Sequence, residues 1–95
     1  DGREFHQSEW ISHAGSYDEN NPRARMVGDL LRNHLHRQMK KPAVRKLLGE
    51  PDATTQNDEW EYLLGMWSGF RMDYDTLTIA FDHSNNVNSI KVIQH

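Results

Sequence analysis

The order of the apolar patterns along the chain constrains its fold more than any other feature. Between residues 22 and 48 the apolar residues recur at spacings of three and four, the period of one helical face. From residue 60 onward, outside the segment 65–70, they alternate with their neighbours, which is the period of a half-buried β-strand. A single change of period is typical of an α+β domain, in which helices cover one face of an antiparallel sheet.

Two helices are predicted in the first of these regions. The first begins at Asn20-Asn21-Pro22, because asparagine is a good N-cap and proline suits the first helical position. It is expected to end near Arg37–Met39. The second helix opens at Pro42 and ends at Gly49-Glu50-Pro51, where glycine provides the C-terminal cap and proline prevents continuation.

Three strands are predicted in the second region. The first has the alternating apolar residues Trp60, Tyr62 and Leu64, and the second has Leu77, Ile79 and Phe81. The third runs from Val87 to Ile93, with Ile90 and Val92 on one face. A polar loop is expected over 53–57 and a hairpin loop over 83–86. We therefore predict an α+β fold with two N-terminal helices on a three-stranded antiparallel sheet, in two layers. Residues 1–21 are predicted to be an extended arm, with room for one short turn, held by Trp10, and residues 22–95 to be a single domain.

This layout resembles a known family. Its elements are the helix end Val44–Pro51 (VRKLLGEP), a Trp60-x-Tyr62 strand, the segment Leu77–Asp82 and a last strand from Val87. Together they resemble the small outer-membrane-assembly lipoproteins of the BamE/SmpA (OmlA-like) type, and the same layout occurs in β-lactamase-inhibitor-protein repeats. The resemblance covers residues 24–95. Family members usually have Gly-Met-Thr before the second helix, where this chain has Gln38-Met39-Lys40.

The resemblance implies a function without catalysis or a cofactor. It suggests a protein-interaction module of the bacterial cell envelope, periplasmic or associated with the outer membrane, tethered by a lipid anchor upstream of Asp1. The alternative is a soluble inhibitor or immunity-type protein that binds and blocks a partner enzyme. In both cases the partner is another protein, and neither nucleic acid nor a small-molecule substrate is expected.

The segment 66–72 has the composition of a binding loop. Two aromatic residues, two methionines and an arginine lie there around Gly69 and directly after Gly65, in the connection between two predicted strands. Such residues are enriched in interface hot spots. We predict a partner-binding site formed by Trp67, Phe70, Arg71 and Met66, and the competing interpretation is that these side chains close the edge of the core.

Charge is distributed unevenly along the chain. Residues 1–22 have a net charge of −4, residues 23–46 of +7 and residues 47–95 of −6. The basic stretch is predicted to be the solvated faces of the two helices. A weaker hypothesis is an anion-binding surface for lipid headgroups or nucleic acid, formed by Arg37, Lys40, Lys41 and Arg45. Nucleic-acid domains usually interleave aromatic with basic residues, and this stretch has no aromatic residue except histidine.

Catalytic and metal sites find little support in the sequence. The chain has no cysteine, so disulfides, cysteine-ligated metals and thiol catalysis are excluded. His34 and His36 point in nearly opposite directions on a helix, and we expect His34 to be a partly buried histidine. Asp73 and Asp75, with Asp82, could hold a hard cation, but a solvated strand entry is the preferred interpretation. We predict no catalytic residues and no metal site.

Overall fold

The computed structural model of the chain describes residues 2–66 and 73–95. Three helices come first, α1 (Gln7–Ser12), α2 (Arg23–Asn33) and α3 (Lys41–Leu48), and four strands follow, β1 (Ala53–Thr54), β2 (Trp60–Met66), β3 (Tyr74–Phe81) and β4 (Val87–Gln94). All neighbouring strands pair antiparallel, in the order β1-β2-β3-β4. The α+β class and the antiparallel sheet are confirmed, while the described part has one helix and one strand more than predicted.

The hydrophobic core lies between the helices and one face of the sheet. The alternation of β2 and β3 directs Trp60, Tyr62, Leu77 and Ile79 to this face. The helices contribute the buried core residues Trp10, Met26, Leu30, Val44 and Leu48. Burial of these side chains removes apolar surface from water and is the main force that holds the two layers together.

Helix α1 occupies part of the predicted extended arm, which is a correction. Its six residues hold a single buried side chain, Trp10, and no side chain caps its N-terminus. The Trp10 ring lies 5.8 Å from the Phe5 ring and 6.3 Å from the Tyr62 ring, between centroids. Tertiary burial of Trp10 therefore stabilises a helix too short to persist alone.

Strand β1 also corrects the sequence prediction, since Ala53 and Thr54 lie in the expected polar loop. They pair with Glu61 and Trp60 of β2, although both are exposed. The turn between the strands is closed by Thr55, whose hydroxyl oxygen accepts the Glu59 N–H at 3.1 Å. Because the stabilising groups are main-chain atoms and one hydroxyl, no apolar alternation marks this strand.

Helix α2 begins as predicted and ends early. The Asn21 Oδ1 accepts the Arg23 N–H at 3.0 Å, which is the bond of an N-cap residue. The helix ends at Asn33, not near Arg37–Met39, since His34 already has a non-helical φ of −128°. Leu35 then fills the core from outside the helix, at 1% exposure. The chain then pairs with the β3–β4 hairpin, where Gln38 N–H donates to Val87 O at 2.9 Å.

Gly28, inside α2, is a position where substitution by alanine is expected to stabilise the protein. A Cβ placed there would have the end of the Arg32 side chain as its nearest neighbour, at 3.5 Å, an ordinary contact. Since alanine favours a helix interior over glycine, Gly28→Ala should raise the free energy of unfolding by about 0.5–1 kcal/mol. Urea denaturation checks this, and a loss of stability would mean that the helix needs glycine here.

Candidate functional site

The predicted binding residues lie at the connection between β2 and β3. Trp67, Phe70 and Arg71 belong to the segment 67–72, outside the described residues. Met66 is described, and it is the half-buried last residue of β2, paired with Tyr74 at the start of β3. The structure therefore shows the two strand ends from which this connection leaves.

The N-terminal segment fixes the end of β2. The Met66 N–H donates to Tyr17 O at 3.0 Å, and the Asn21 side-chain amide bridges Ser16 O (3.0 Å) and Leu63 O (3.3 Å). The register of β2 against β3 shifts between Leu63 and Gly65, and Gly65 has a φ of +103°. This bulge brings the strand end directly against the segment 16–21.

Aromatic side chains fix the start of β3. The Tyr74 ring meets the Tyr17 ring edge-on at 5.2 Å and stacks on the His95 ring at 4.5 Å, with 12° between the latter two planes. The His95 N–H donates to Tyr74 O at 2.8 Å, and the His95 Nε2 lies 3.0 Å from the Thr76 hydroxyl. We call these three rings, together with Met66 at the end of β2, the aromatic frame (Tyr17, Met66, Tyr74 and His95). Their contacts fix the two strand ends that the β2–β3 connection joins.

The acidic residues near this end do not form the cation site considered from the sequence. Asp75 lies at the start of β3 and Asp82 follows its end, about 23 Å away at 3.3 Å per residue. Asp82 serves the β3–β4 turn, where hydrogen bonds from the Asn86 and Ser84 N–H groups lower its pKa. Burial raises the pKa of Asp75. Within residues 2–66 and 73–95, no three potential ligands come together as a metal site.

His34 is more exposed than expected. Its side chain is 40% exposed, its ring packs against Phe5 at 5.1 Å, and its Nε2 lies 3.4 Å from Asp29 Oδ2. The Asp29 carboxylate also accepts the Phe5 N–H at 2.8 Å, which is the main reason that its pKa is lowered. These contacts attach the N-terminal segment to α2.

The four predicted anion-binding residues fall into two pairs. Lys41 and Arg45 cover the aromatic rings at the edge of the core, with Lys41 Nζ 4.9 Å from the Phe81 centroid and Arg45 Cζ 4.9 Å from the Trp60 centroid. Arg45 also pairs with Glu50 at 3.0 Å. Arg37 and Lys40 are exposed in the segment between α2 and α3. Two of the four cations are therefore engaged in contacts with aromatic rings, and the other two are exposed.

A buried arginine is the feature that the sequence does not reveal. Arg23, predicted to lie on a solvated face, is fully buried. Its Nη1 lies 2.9 Å from Asp52 Oδ2 and its Nε donates to Trp10 O at 2.8 Å, while its guanidinium lies 4.8 Å from the Trp10 centroid. Burial lowers the pKa of Arg23, and the charge of Asp52 opposes that effect.

The buried pair connects the two layers beside the bulge. Asp52 Oδ2 accepts the Leu63 N–H at 2.8 Å, and Leu63 O accepts a bond from Arg23 Nη1 at 3.2 Å. The Tyr62 hydroxyl donates to Gly49 O at 2.8 Å, and burial raises the Tyr62 pKa. Local sequence does not signal this network, because Arg23 and Asp52 are 29 residues apart. It positions the strand that leads into the aromatic frame.

A cleft of about 310 Å³ lies at the start of α2. Glu19, Arg25 and Arg3 are among the residues that line it, so its wall carries both signs of charge. Arg3 is already held by Glu9 in two hydrogen bonds of 2.7 and 3.0 Å. This cleft lacks the convergent groups of one sign that would select an ionic ligand.

Comparisons of the chain with protein-family models, with curated proteins and with solved structures give no match. Across the described residues, no helix has both the length and the apolar character needed to cross a membrane.

Proposed function

We propose that this chain is a non-enzymatic protein-interaction module that binds its partner through the β2–β3 connection. The observation that carries the proposal is the aromatic frame, in which Tyr17 and His95 both contact Tyr74. A short connection leaving two fixed strand ends is a common arrangement for a binding loop, because the scaffold limits the entropy lost on binding.

The residues proposed to make the contact are Trp67, Phe70, Arg71 and Met66. Tryptophan and arginine are the side chains that most often dominate binding energy when they are buried by a partner. The connection spans residues 67–73 between the paired Met66 and Tyr74, so these side chains belong to one short stretch of chain.

Loss of partner capture is expected when Trp67→Ala is combined with Arg71→Ala. We expect the immobilised wild type to retain a partner from bacterial envelope extract, and the double variant to lose at least about 90% of it, because each hot-spot residue contributes more than about 1 kcal/mol. Circular dichroism and thermal melting should show that the double variant still folds cooperatively.

A matched control is available on α2. Leu31 is 37% exposed and is followed by the exposed Arg32, so Leu31→Ala with Arg32→Ala also removes one large apolar and one cationic side chain. This control should keep the partner. Equal capture by both double variants would contradict the proposal, and unfolding of the Trp67/Arg71 variant would assign those residues to the core.

The cellular setting is part of the proposal and comes from the resemblance to the BamE/SmpA type. We propose a lipoprotein-like protein of the bacterial cell envelope, anchored upstream of Asp1. A lipobox cysteine in the encoded precursor would support this setting. The alternative function is an inhibitor or immunity-type protein, and it would be favoured if the captured partner is an enzyme whose activity falls in proportion to added chain.

A further inference from the structure

The two edges of the sheet differ in how they are covered. Along β2, beyond its short pairing with β1, side chains and loops occupy the main-chain groups. Leu63 N–H is bound by Asp52, Leu63 O by Asn21 and Arg23, and Met66 N–H by Tyr17. On the other side, β4 is the last strand of the sheet.

Only the beginning of β4 is covered on its outer side by described residues. Val87 N–H donates to Met39 O at 2.7 Å, Val87 O accepts the Gln38 N–H at 2.9 Å, and Lys40 forms a bridge with Asn86. The segment 38–40 thus lies beside the start of β4 as a short additional strand would. The rest of β4 has no such neighbour within the described part of the chain.

The main-chain groups that remain open can be identified from the register. The His95 N–H donates to Tyr74 O, so residues 95, 93 and 91 direct their hydrogen-bonding groups toward β3. The groups of Ile90, Val92 and Gln94 therefore point away from the sheet. Among the residues that the structure describes, none pairs with these main-chain groups, so an incoming strand would find three alternate residues with both N–H and C=O available.

The side chains along this edge specify the incoming strand. Ile90 and Val92 lie on the helix-covered face, opposite Ile79 and Leu77, and Val92 is still 47% exposed. Lys91 lies on the other face and is exposed. A strand with apolar residues on one face and acidic residues on the other would cover Val92 and pair with Lys91.

Positive charge borders the start of this edge, while at its far end Asp75 of β3 lies opposite Gln94. Arg37 and Lys40 are exposed in the segment that borders the start of β4. No acidic residue occurs in 34–41 or in 87–94. A second copy of β4 would bring another lysine and no acid to this edge, and lysine on an edge strand opposes self-pairing. Charge therefore favours an acidic partner over a second copy.

We propose that the free edge of β4 binds an extended acidic segment of another protein, in which acidic and apolar residues alternate, as a further strand of the sheet. Hydrogen bonds to Ile90, Val92 and Gln94 provide main-chain affinity, and Lys91 selects the acidic side chains. The groups proposed to bind belong to β4 and none of them lies within residues 66–72, so the Trp67/Arg71 double variant should bind such a segment like the wild type.

Amide hydrogen exchange tests the proposal residue by residue. The probe is a short peptide that alternates valine with glutamate, and the matched control peptide has lysine for glutamate. At about ten times the dissociation constant, the first peptide should slow exchange at Ile90, Val92 and Gln94 about tenfold. Exchange at Lys91 and Ile93 should change little, because their N–H groups already face β3. The variant Lys91→Glu should prefer the lysine peptide.

Three results would overturn the proposal. The first is no slowing at these amides with the glutamate peptide at millimolar concentration. The second is equal binding of both peptides by the wild type and by Lys91→Glu, which would remove the role of charge. The third is protection of Ile90, Val92 and Gln94 that rises with protein concentration when no peptide is present, which would make a second copy the occupant.

Discussion

Replacing Asp52 by alanine is expected to lower the free energy of unfolding by about 3–5 kcal/mol, because it leaves the Arg23 guanidinium buried without its opposite charge. The Arg23 side chain is fully buried and that of Asp52 is 7% exposed. The same substitution also removes the acceptor of the Leu63 N–H. Urea denaturation followed by circular dichroism measures the change.

Two comparisons isolate the effect of the buried charge. Asp52→Asn keeps an acceptor for Leu63 and Arg23 and should cost less than Asp52→Ala. Glu9→Ala breaks the ion pair with Arg3, in which the Arg3 side chain is 38% and the Glu9 side chain 32% exposed, and it should cost far less than Asp52→Ala because solvent screens the pair. Equal losses of stability for Asp52→Ala and Glu9→Ala would contradict the argument that burial makes the Arg23–Asp52 pair costly to break.

A paired apolar replacement tests the mechanism from the other direction. The double variant Arg23→Met with Asp52→Leu removes both charges and should recover much of the stability lost in Asp52→Ala. Full recovery is not expected, because the Arg23 bond to Trp10 O is also lost. If the double variant is less stable than Asp52→Ala, the hydrogen bonds of Arg23 matter more than its charge.

Periodicity predicted the parts of the fold that apolar residues determine. The alternation through Trp60–Leu64 and Leu77–Phe81 placed two strands, and the sequence from Pro42 to Gly49 placed α3. Gly49 takes the expected cap position with a φ of +80°. Periodicity could not predict α1, whose six residues offer too few apolar positions for a pattern, nor β1, whose two residues are exposed.

The candidate site could be predicted only in part, because the residues that fix it are far apart in the sequence. Composition drew attention to 66–72, but the groups that fix its ends come from distant positions. Tyr17 and His95 meet at Tyr74 only after folding, as do Arg23 and Asp52 at Leu63. Contacts of this kind depend on long-range packing, and a single sequence contains no local signal for them.

Gly65→Ala is expected to lower the free energy of unfolding by about 3 kcal/mol and to detach the N-terminal segment from β2. Two effects add here. The φ of +103° is strained for a residue with a Cβ, at a cost of about 1–2 kcal/mol. The new Cβ would also overlap Asp18 O and lie 2.9 Å from the Asn21 Cβ, an overpacked contact worth about 1–3 kcal/mol.

The local consequence separates this prediction from general destabilisation. Because the Met66 N–H is held by Tyr17 O, its hydrogen exchange should accelerate in Gly65→Ala well before the amides of β3 and β4 do. Gly28→Ala is the matched control, since it makes the same chemical change in α2 and is expected to stabilise. Uniform acceleration across the sheet would contradict a specific role for Gly65, and unchanged exchange at Met66 would mean that the aromatic frame does not depend on the bulge.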